Sequence, residues 1–243
     1  MTEREWQTGT HPAELLVAVR GKVSYRKLRL FACGCCRRLS NENNRAGRRR
    51  LEITEKYADA AVAEEMFLAA FPLPELTGDD RQSVRYVLML ATNGLGWPDA
   101  EQPSWNYDEE TQVLAPKSWE PGEYAEESTL RILPRLVNAA AFGKREKDYR
   151  ATIEHESRVQ AELVRDVVGN PFRQVIFDPA WRTDTVVTLA RQMYESRDFF
   201  PMPILADALQ DAGCENEDVL THCRARGPHV RGCWVVDGIL GKS

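Results

Sequence analysis

The chain lacks any long hydrophobic run. None of its apolar stretches approaches the roughly 18 residues that a membrane helix needs, so we expect no contact with a membrane. The first residues, Met1 to Trp6, are polar and lack the charged and then apolar layout of a secretory signal. These absences predict a soluble, cytoplasmic protein in which the thiols stay reduced.

The sequence also lacks the motifs of the common enzyme classes. It contains no Gly-rich phosphate loop, no Ser-centred nucleophile elbow and no His-Glu-x-x-His metal helix. With 243 residues, of which 43% are hydrophobic and 28% charged, the chain can bury a core without disulfides. The leading prediction is therefore a non-enzymatic interaction or adaptor role, with another protein as the partner.

Strand-forming patterns are nearly absent, and the hydrophobic period is helical almost throughout. Pro12 and Gly21 mark the start and the end of one helix, and a second begins near Ser24 and runs to the Asn-rich turn at 40–44. Further helices are predicted at about 46–58, 60–70, 78–92, 128–142, 145–168, 179–193, 203–209, 217–222 and 230–240. The pattern predicts an all-α, irregular multi-helix globular domain.

The helical period breaks between residues 94 and 125, where Trp, Pro and Gly are frequent. Long loops without regular structure are uncommon and are often binding loops. We expect an irregular insertion here, between N-terminal (about 1–93) and C-terminal (about 126–243) helical portions that pack together as a single domain. Its aromatic side chains either fold back onto the domain or contact a partner, and the candidate partner-binding residues are Trp97, Trp105 and Trp119.

Positive charge is concentrated near the N-terminus, although the net charge is -5. Residues 20–50 are rich in Arg and Lys and contain one acid, Glu42. Such a segment suits contacts with phosphates, which makes nucleic-acid binding an alternative function. The competing interpretation is a solvated helix face that pairs with the acidic segment 99–127. The candidate nucleic-acid-binding residues are Arg37, Arg38, Arg45, Arg48, Arg49 and Arg50.

The six cysteines fall into two sets, at residues 33–36 and 214–233. Two of the four histidines lie within the second set, and thiols with imidazoles are typical zinc ligands. A structural zinc ion is therefore a candidate cofactor, with candidate ligands Cys33, Cys36, Cys214, His222, His229 and Cys233, and with Cys223 as a further donor. The competing interpretation is that the cysteines are small buried apolar residues. If the two sets meet, both ends of the chain belong to one domain.

A Cys/His-dependent enzyme is the remaining alternative. A thiolate such as Cys36 or Cys233 could act as the nucleophile, with His229 or His222 as the base. The nearby basic residues, Arg37, Arg38 and Arg231, would favour the thiolate. On the predicted helix, Cys33 and Cys36 share a face and Cys35 points elsewhere. No recognised nucleophile motif accompanies these residues, so the balance is against an enzyme.

Several motifs carry a resemblance to known sequences. They are the runs RKLRLFACGCCRR from Arg26, GNPFR from Gly169, DPAW from Asp178, PILADALQDAGC from Pro203 and GPHVRGCWVVDGILGK from Gly227. In these runs the chain resembles a family of uncharacterised proteins abundant in planctomycete bacteria, over roughly residues 5–60 and 165–243. The middle of the chain departs from the family, in which that region is Ala-rich helix. The family brings no established activity, so the resemblance implies bacterial relatives and leaves the function open.

Overall fold

The structure is a computed structural model that describes residues 1–39, 45–62, 105–108, 113–116 and 146–242. Within these ranges the chain forms nine α-helices, and the predicted all-α class is confirmed. The helices are α1 (Glu3–Thr8), α2 (Pro12–Ala18), α3 (Tyr25–Leu39), α4 (Arg45–Ala58), α5 (Glu146–Val168), α6 (Asp184–Ser196), α7 (Met202–Asp211), α8 (Glu217–Arg224) and α9 (Trp234–Leu240). A short 3-10 helix, Pro179–Trp181, precedes α6. No helix in these ranges is both long and apolar enough to cross a bilayer.

Two short strands accompany the helices. β1 (Trp105–Asp108) and β2 (Val113–Pro116) pair in antiparallel register, with Trp105 opposite Pro116. Both strands belong to the 94–125 segment. Trp105 is the first residue of β1, whereas the other two candidate partner-binding residues, Trp97 and Trp119, lie outside the described residues. A partner-binding role for this segment stays a prediction, as does the division of the chain into portions on either side of it.

Helix α1 has no counterpart among the predicted helices, because it is short and buries only one side chain, Trp6. A capping box holds its start: the backbone N–H of Glu5 donates to the Thr2 hydroxyl, and the Glu5 carboxylate accepts from the backbone N–H of Thr2. Trp6 is 1% exposed, and its indole N–H donates to the carbonyl of Gly169 over 3.1 Å. This contact anchors α1 beside the end of α5.

The predicted helix boundaries agree best where glycine or proline marks them. Helix α5 ends just before Gly169, whose φ of +76° lies in the left-handed region. A side chain there would also stand 3.1 Å from the Trp234 ring, so glycine is favoured on both counts. Helix α4 ends at Ala58 and a turn follows, so the helix predicted to start at residue 60 is not formed at its beginning. The rest of it, and the helices predicted at 78–92 and 128–142, lie outside the described residues.

The first of two hydrophobic clusters is built from α1 to α4 and the second half of α5. Its largest fully buried side chains are Trp6, Leu15, Phe31, Leu51 and Leu163. Helix α3 packs on both α4 and α5, and it is buried at every position from 30 to 36. All three thiols of α3 are covered within this cluster, and the prediction that Cys35 points away from Cys33 and Cys36 stays a prediction.

The second hydrophobic cluster contains α6 to α9, and with them Cys214, Cys223 and Cys233. The two cysteine sets thus belong to separate clusters. The two segments nevertheless lie side by side, since a Cβ atom at Gly34 on α3 would come within 2.9 Å of the Val230 side chain. The segments are neighbours, whereas the thiols themselves pack apart.

A network of buried charges joins the two clusters. The Arg26 guanidinium pairs with Asp59 at 2.9 Å and with Asp237 at 2.7 Å. Lys27 also pairs with Asp237, and its ammonium donates to the carbonyl of Gly232 over 2.7 Å. Breaking one partner out of a buried ion pair typically costs about 3–5 kcal/mol. The network therefore fixes how α3 lies against α9.

Candidate metal centre

Four potential metal ligands meet where α5, α8 and α9 approach one another. Asp166, His222, His229 and Cys233 each offer one ligand atom, and these atoms all lie within 4.8 Å of one another. Asp166 is in the last turn of α5 and His222 in the last turn of α8. His229 belongs to the following loop, and Cys233 is the N-cap residue of α9. The group therefore draws on three separate helices and one loop.

The loop between α8 and α9 carries two of the four ligands and is held in place by backbone contacts. The Asp166 carboxylate accepts a hydrogen bond from the backbone N–H of Val230 over 2.9 Å. Gly232 has a φ of +99°, and a side chain at this position would come within 3.0 Å of Leu30. The chain thus depends on glycine to turn immediately before Cys233.

The ligand atoms lie at short distances from one another. His229 Nδ1 is 2.7 Å from Asp166 Oδ1, and His222 Nε2 is 3.3 Å from the same oxygen. His222 Nε2 is also 3.2 Å from Cys233 Sγ. The side chains of Asp166, His229 and His222 are 3%, 7% and 17% exposed, and Cys233 is wholly buried. The group is therefore closed off from bulk water.

Asp166 is an ionised carboxylate in spite of its burial. Burial by itself raises its pKa, but the hydrogen bonds and electrostatic interactions with His222 and His229 outweigh burial and lower the pKa to about 2. The negative charge is thus present at neutral pH. A buried charge needs a compensating partner, and a bound cation would supply one.

Cys233 is in the opposite state. Burial raises the pKa of its thiol well above the ordinary value, and the nearby negative charge of Asp166 raises it further. The thiol therefore keeps its proton at neutral pH in the absence of a cation. Metal coordination removes that proton, because cysteine binds metals as the thiolate.

The four donors could hold a metal ion, since their ligand atoms all lie within 4.8 Å of one another. Zinc bonds of about 2.0–2.1 Å to nitrogen or oxygen and about 2.3 Å to sulfur place neighbouring ligand atoms about 3.3–3.6 Å apart. The separations of 3.2 Å between His222 and Cys233 and of 3.3 Å between His222 and Asp166 are close to these values. The 2.7 Å between His229 and Asp166 is a hydrogen-bond distance, and an ion would lengthen it by roughly half an ångström.

Three of the six predicted ligands, His222, His229 and Cys233, belong to this group. The other three lie elsewhere. Cys33 and Cys36 are buried in the first hydrophobic cluster, and Cys214 is buried in the second. Cysteine packs there as a small apolar side chain, which is what the competing interpretation of the cysteines predicts.

Asp166 is the ligand that the sequence analysis missed. It lies in a helix crowded with charged residues, where one more carboxylate carries no signal. It is, however, three residues after Leu163 on the buried face of α5, beside Val167. A carboxylate at a position where the helical period requires an apolar residue was the available signal.

The structure brings one predicted Cys–His pair within hydrogen-bond reach, since Cys233 lies 3.2 Å from His222. A nucleophile needs access to substrate, and every thiol of the chain is buried. Asp166 and Cys233 also face the same nitrogen of His222, so the carboxylate does not orient the ring from its far side, as a catalytic triad requires. The geometry favours ligation of a cation over nucleophilic catalysis.

Two arginines of the basic segment are engaged within the fold. Arg37 pairs with Glu55 at 2.6 Å, and Arg38 pairs with Glu156 at 3.4 Å. Neither acid belongs to the 99–127 segment that we expected to balance them. The basic segment is thus matched, in part, by carboxylates of α4 and α5.

Comparison with known proteins gives this chain no relative. No protein-family model, no curated protein and no solved structure matches it. The resemblance to planctomycete proteins stays a prediction, and function has to be inferred from the residues themselves.

Proposed function

We propose that this chain is a non-enzymatic interaction protein whose C-terminal helices are held together by a structural metal ion. The observation that carries the proposal is the convergence of Asp166, His222, His229 and Cys233 within 4.8 Å. Burying any of these polar side chains without a partner costs free energy, and coordination of a cation would offset that cost. The ion would tie the end of α5 to α8 and to the start of α9.

Zinc suits these donors best. It accepts thiolate, imidazole and carboxylate together in tetrahedral geometry, whereas calcium and magnesium take oxygen ligands. Other late transition metals also accept nitrogen and sulfur donors. The chemistry of the donor set therefore narrows the ion to a borderline-soft divalent metal, with zinc first.

A structural role follows from the ligand count and the burial. Catalytic zinc sites keep one position open for water, whereas structural sites are closed by four protein ligands. Four side chains are available here, and the most exposed of them, His222, shows only 17% of its surface. With all four bound, the ion would have no position left for a substrate.

Elemental analysis of the purified protein tests the metal site. Wild type, reconstituted with zinc, should hold about one ion per chain, and His229→Ala and Cys233→Ser should hold close to none. Cys214→Ser is the matched control, because it removes a buried thiol of the same cluster that lies outside the ligand group. A wild-type content near zero, or full retention by Cys233→Ser, would contradict the proposal.

The interaction role is supported by two apolar side chains near the start of α7. Phe200 and Ile204 are 89% and 58% exposed. Large apolar side chains exposed close together in sequence are typical of contact surfaces. Cross-linking in cells should recover a partner with wild type that the double variant Phe200→Ser, Ile204→Ser loses. A partner pattern that the double variant leaves unchanged would contradict this role.

Nucleic-acid binding is the second candidate, and α4 carries the observation that favours it. Arg48 and Arg49 are exposed there, while the side chains of Arg45 and Arg50 lie outside the described part of the chain. If these arginines contact phosphates, binding should weaken steeply with salt, and Arg48→Gln with Arg49→Gln should flatten that dependence. If the protein shows no salt-dependent binding to DNA or RNA, this candidate function is excluded.

A further inference from the structure

A basic pocket of about 250 Å³ lies beside the metal centre. Its wall includes the side chains Arg37, Arg38, Glu55, Arg197, His229 and Arg231. Four of these six are arginines and one is an acid. The pocket shares His229 with the metal centre, but none of its arginines belongs to the ligand group.

Several arginines of the pocket wall share the carboxylate of Glu55. Its carboxylate is 2.6 Å from the guanidinium of Arg37, 2.5 Å from that of Arg197 and 3.7 Å from that of Arg231. The carboxylate is also deeply buried, at 2% exposure. Leaving Arg37 aside, Arg197 and Arg231 share this one carboxylate, and Arg231 also pairs with Asp59 at 2.8 Å.

The excess of positive charge extends through the connected ion pairs. In the described part of the chain, and leaving Arg37 aside, five cationic side chains share three carboxylates. The cations are Arg26, Lys27, Arg197, Arg231 and Lys242, and the carboxylates are Glu55, Asp59 and Asp237. Arg38, beside this network, is matched by Glu156. Of these side chains, Arg197, Arg231 and Glu55 line the pocket, so two positive charges share one lining carboxylate there, which favours an anion.

Two buried nitrogen atoms of the wall residues have no hydrogen-bond partner among the described residues. They are Nε2 of His229 and Nε of Arg231. The His229 side chain is 7% exposed, and its other nitrogen, Nδ1, already faces Asp166 at 2.7 Å. A buried polar group without a partner is rare in folded proteins and calls for an explanation. A bound oxyanion would supply an acceptor for the N–H of Arg231, and also for His229 Nε2 when a metal ion on Nδ1 leaves the ring hydrogen on Nε2.

We propose that this pocket binds a phosphate group, with the guanidinium groups of Arg38, Arg197 and Arg231 as donors. The planar guanidinium fork matches the spacing of phosphate oxygens and takes them in pairs. The volume is below the roughly 300–1,000 Å³ of sites for drug-sized ligands, so the pocket suits a phosphate or a small phosphomonoester rather than a large cofactor. The inference goes beyond the metal centre and does not require the ion.

Calorimetric titration of the full chain with inorganic phosphate, at constant ionic strength in a chloride buffer, tests this site. Wild type should bind one phosphate per chain. Arg38 is the residue to change, because its side chain is 34% exposed and its ion pair with Glu156 is long at 3.4 Å, so that its loss disturbs the fold least. Arg38→Gln should weaken binding by about tenfold or more, since a hydrogen bond to a charged group is lost. Arg38→Glu should abolish it.

The matched control is Arg191→Gln, an exposed arginine on α6 that lies outside the pocket wall and should bind as wild type does. Thermal melting verifies that each variant is folded. Glycerol phosphate and a short single-stranded DNA are titrated in parallel to distinguish the possible sources of the phosphate group. Binding of inorganic phosphate or of glycerol phosphate that is lost in Arg38→Glu supports the site. Whichever of the two binds more tightly indicates whether the ligand is free phosphate or a phosphomonoester.

No phosphate binding by folded wild type, equal binding by Arg38→Glu, or binding of the DNA alone would overturn the proposal. Metal content measured on the same samples distinguishes failure of the phosphate proposal from failure of the metal proposal. Phosphate binding in a chain without metal would leave this inference standing while the metal proposal fails, and a loaded chain without phosphate binding would do the reverse.

Discussion

The two cysteine sets hold the same chemical group in different surroundings. Cys33, Cys35 and Cys36 pack among apolar side chains of the first cluster, whereas Cys233 lies 3.2 Å from the imidazole of His222. Burial does not separate them, since all are almost wholly covered. The difference lies in the neighbouring side chains. Among the described residues, the ligand group includes Cys233 and none of the first set.

The difference shows that a thiol acquires a role from side chains supplied by other elements. Cysteine spacing along the chain does not reveal which set has such partners. The first set has the Cys-x-x-Cys spacing that is common in zinc sites, yet it lies within a covered helix. The second set has no standard spacing, and it converges with Asp166 because the loop before α9 turns back onto α5.

The largest expected effect is the loss of the ion from the second set. A strong chelator should lower the melting temperature by about 10 °C or more, because an ion present at 1,000 times its Kd stabilises by about 4 kcal/mol and each kcal/mol shifts a chain of this size by about 2–4 °C. Hydrogen exchange should show α8 and α9 losing protection before α2 and α3. Zinc added back should restore the melting temperature.

His229→Ala is the control for the chelation experiment, because a chain that has lost a ligand should melt at the same temperature with and without the chelator. An equal melting temperature for wild type in both conditions would contradict a structural ion.

A smaller effect is expected from the first set. Cys36→Ser should destabilise the chain by about 1–3 kcal/mol in urea unfolding, because it places a hydroxyl group among apolar side chains. Its metal content should equal that of wild type. Loss of the ion in Cys36→Ser would mean that the first set takes part in the metal site, and the contrast between the two sets would collapse.

The smallest effect is the dependence of stability on pH that the charged network joining the two clusters produces. Burial by itself raises the pKa of Asp59, but the hydrogen bond from Tyr194 and the charges of Arg231 and Arg26 more than offset this, so its pKa lies below the ordinary value. A carboxyl whose pKa is lowered on folding contributes stability above its unfolded pKa of about 4 and loses it as the pH falls through the folded pKa.

Asp59→Asn should therefore be less stable than wild type at neutral pH, and the gap should narrow as the pH falls below about 4. Melting temperatures of both proteins from pH 7 to pH 3 measure it. A gap that stays constant over that range would contradict the contribution of the Asp59 charge.

The helices could be predicted where local chemistry marks their ends. Gly169 closes α5, and Asn216 caps α8 by accepting from the backbone N–H of Val219 over 3.1 Å. Helix α1 has a local marker, the capping box of Thr2 and Glu5, but its six residues bury only Trp6 and are too few to show a helical period. Its packing depends on the contact of Trp6 with the distant Gly169. Contacts between remote parts of the chain leave no local pattern.

The residues of the candidate site also differ in how far the sequence alone identifies them. His222, His229 and Cys233 were identifiable because histidine and cysteine are scarce and fall close together in the sequence. Asp166 is one of 37 acidic residues, and only its burial against the other ligands distinguishes it. The basic pocket was likewise hidden, since Arg197 and Arg231 lie far along the chain from the basic segment 20–50.

X-ray absorption spectroscopy of the zinc-loaded protein tests the central claim most directly. We predict one sulfur ligand at about 2.3 Å and three nitrogen or oxygen ligands at about 2.0–2.2 Å. Cys36→Ser should give the same spectrum, whereas any zinc that remains on Cys233→Ser should have no sulfur ligand. A wild-type spectrum without sulfur, or with two or more sulfur ligands, would contradict a centre built from Asp166, His222, His229 and Cys233.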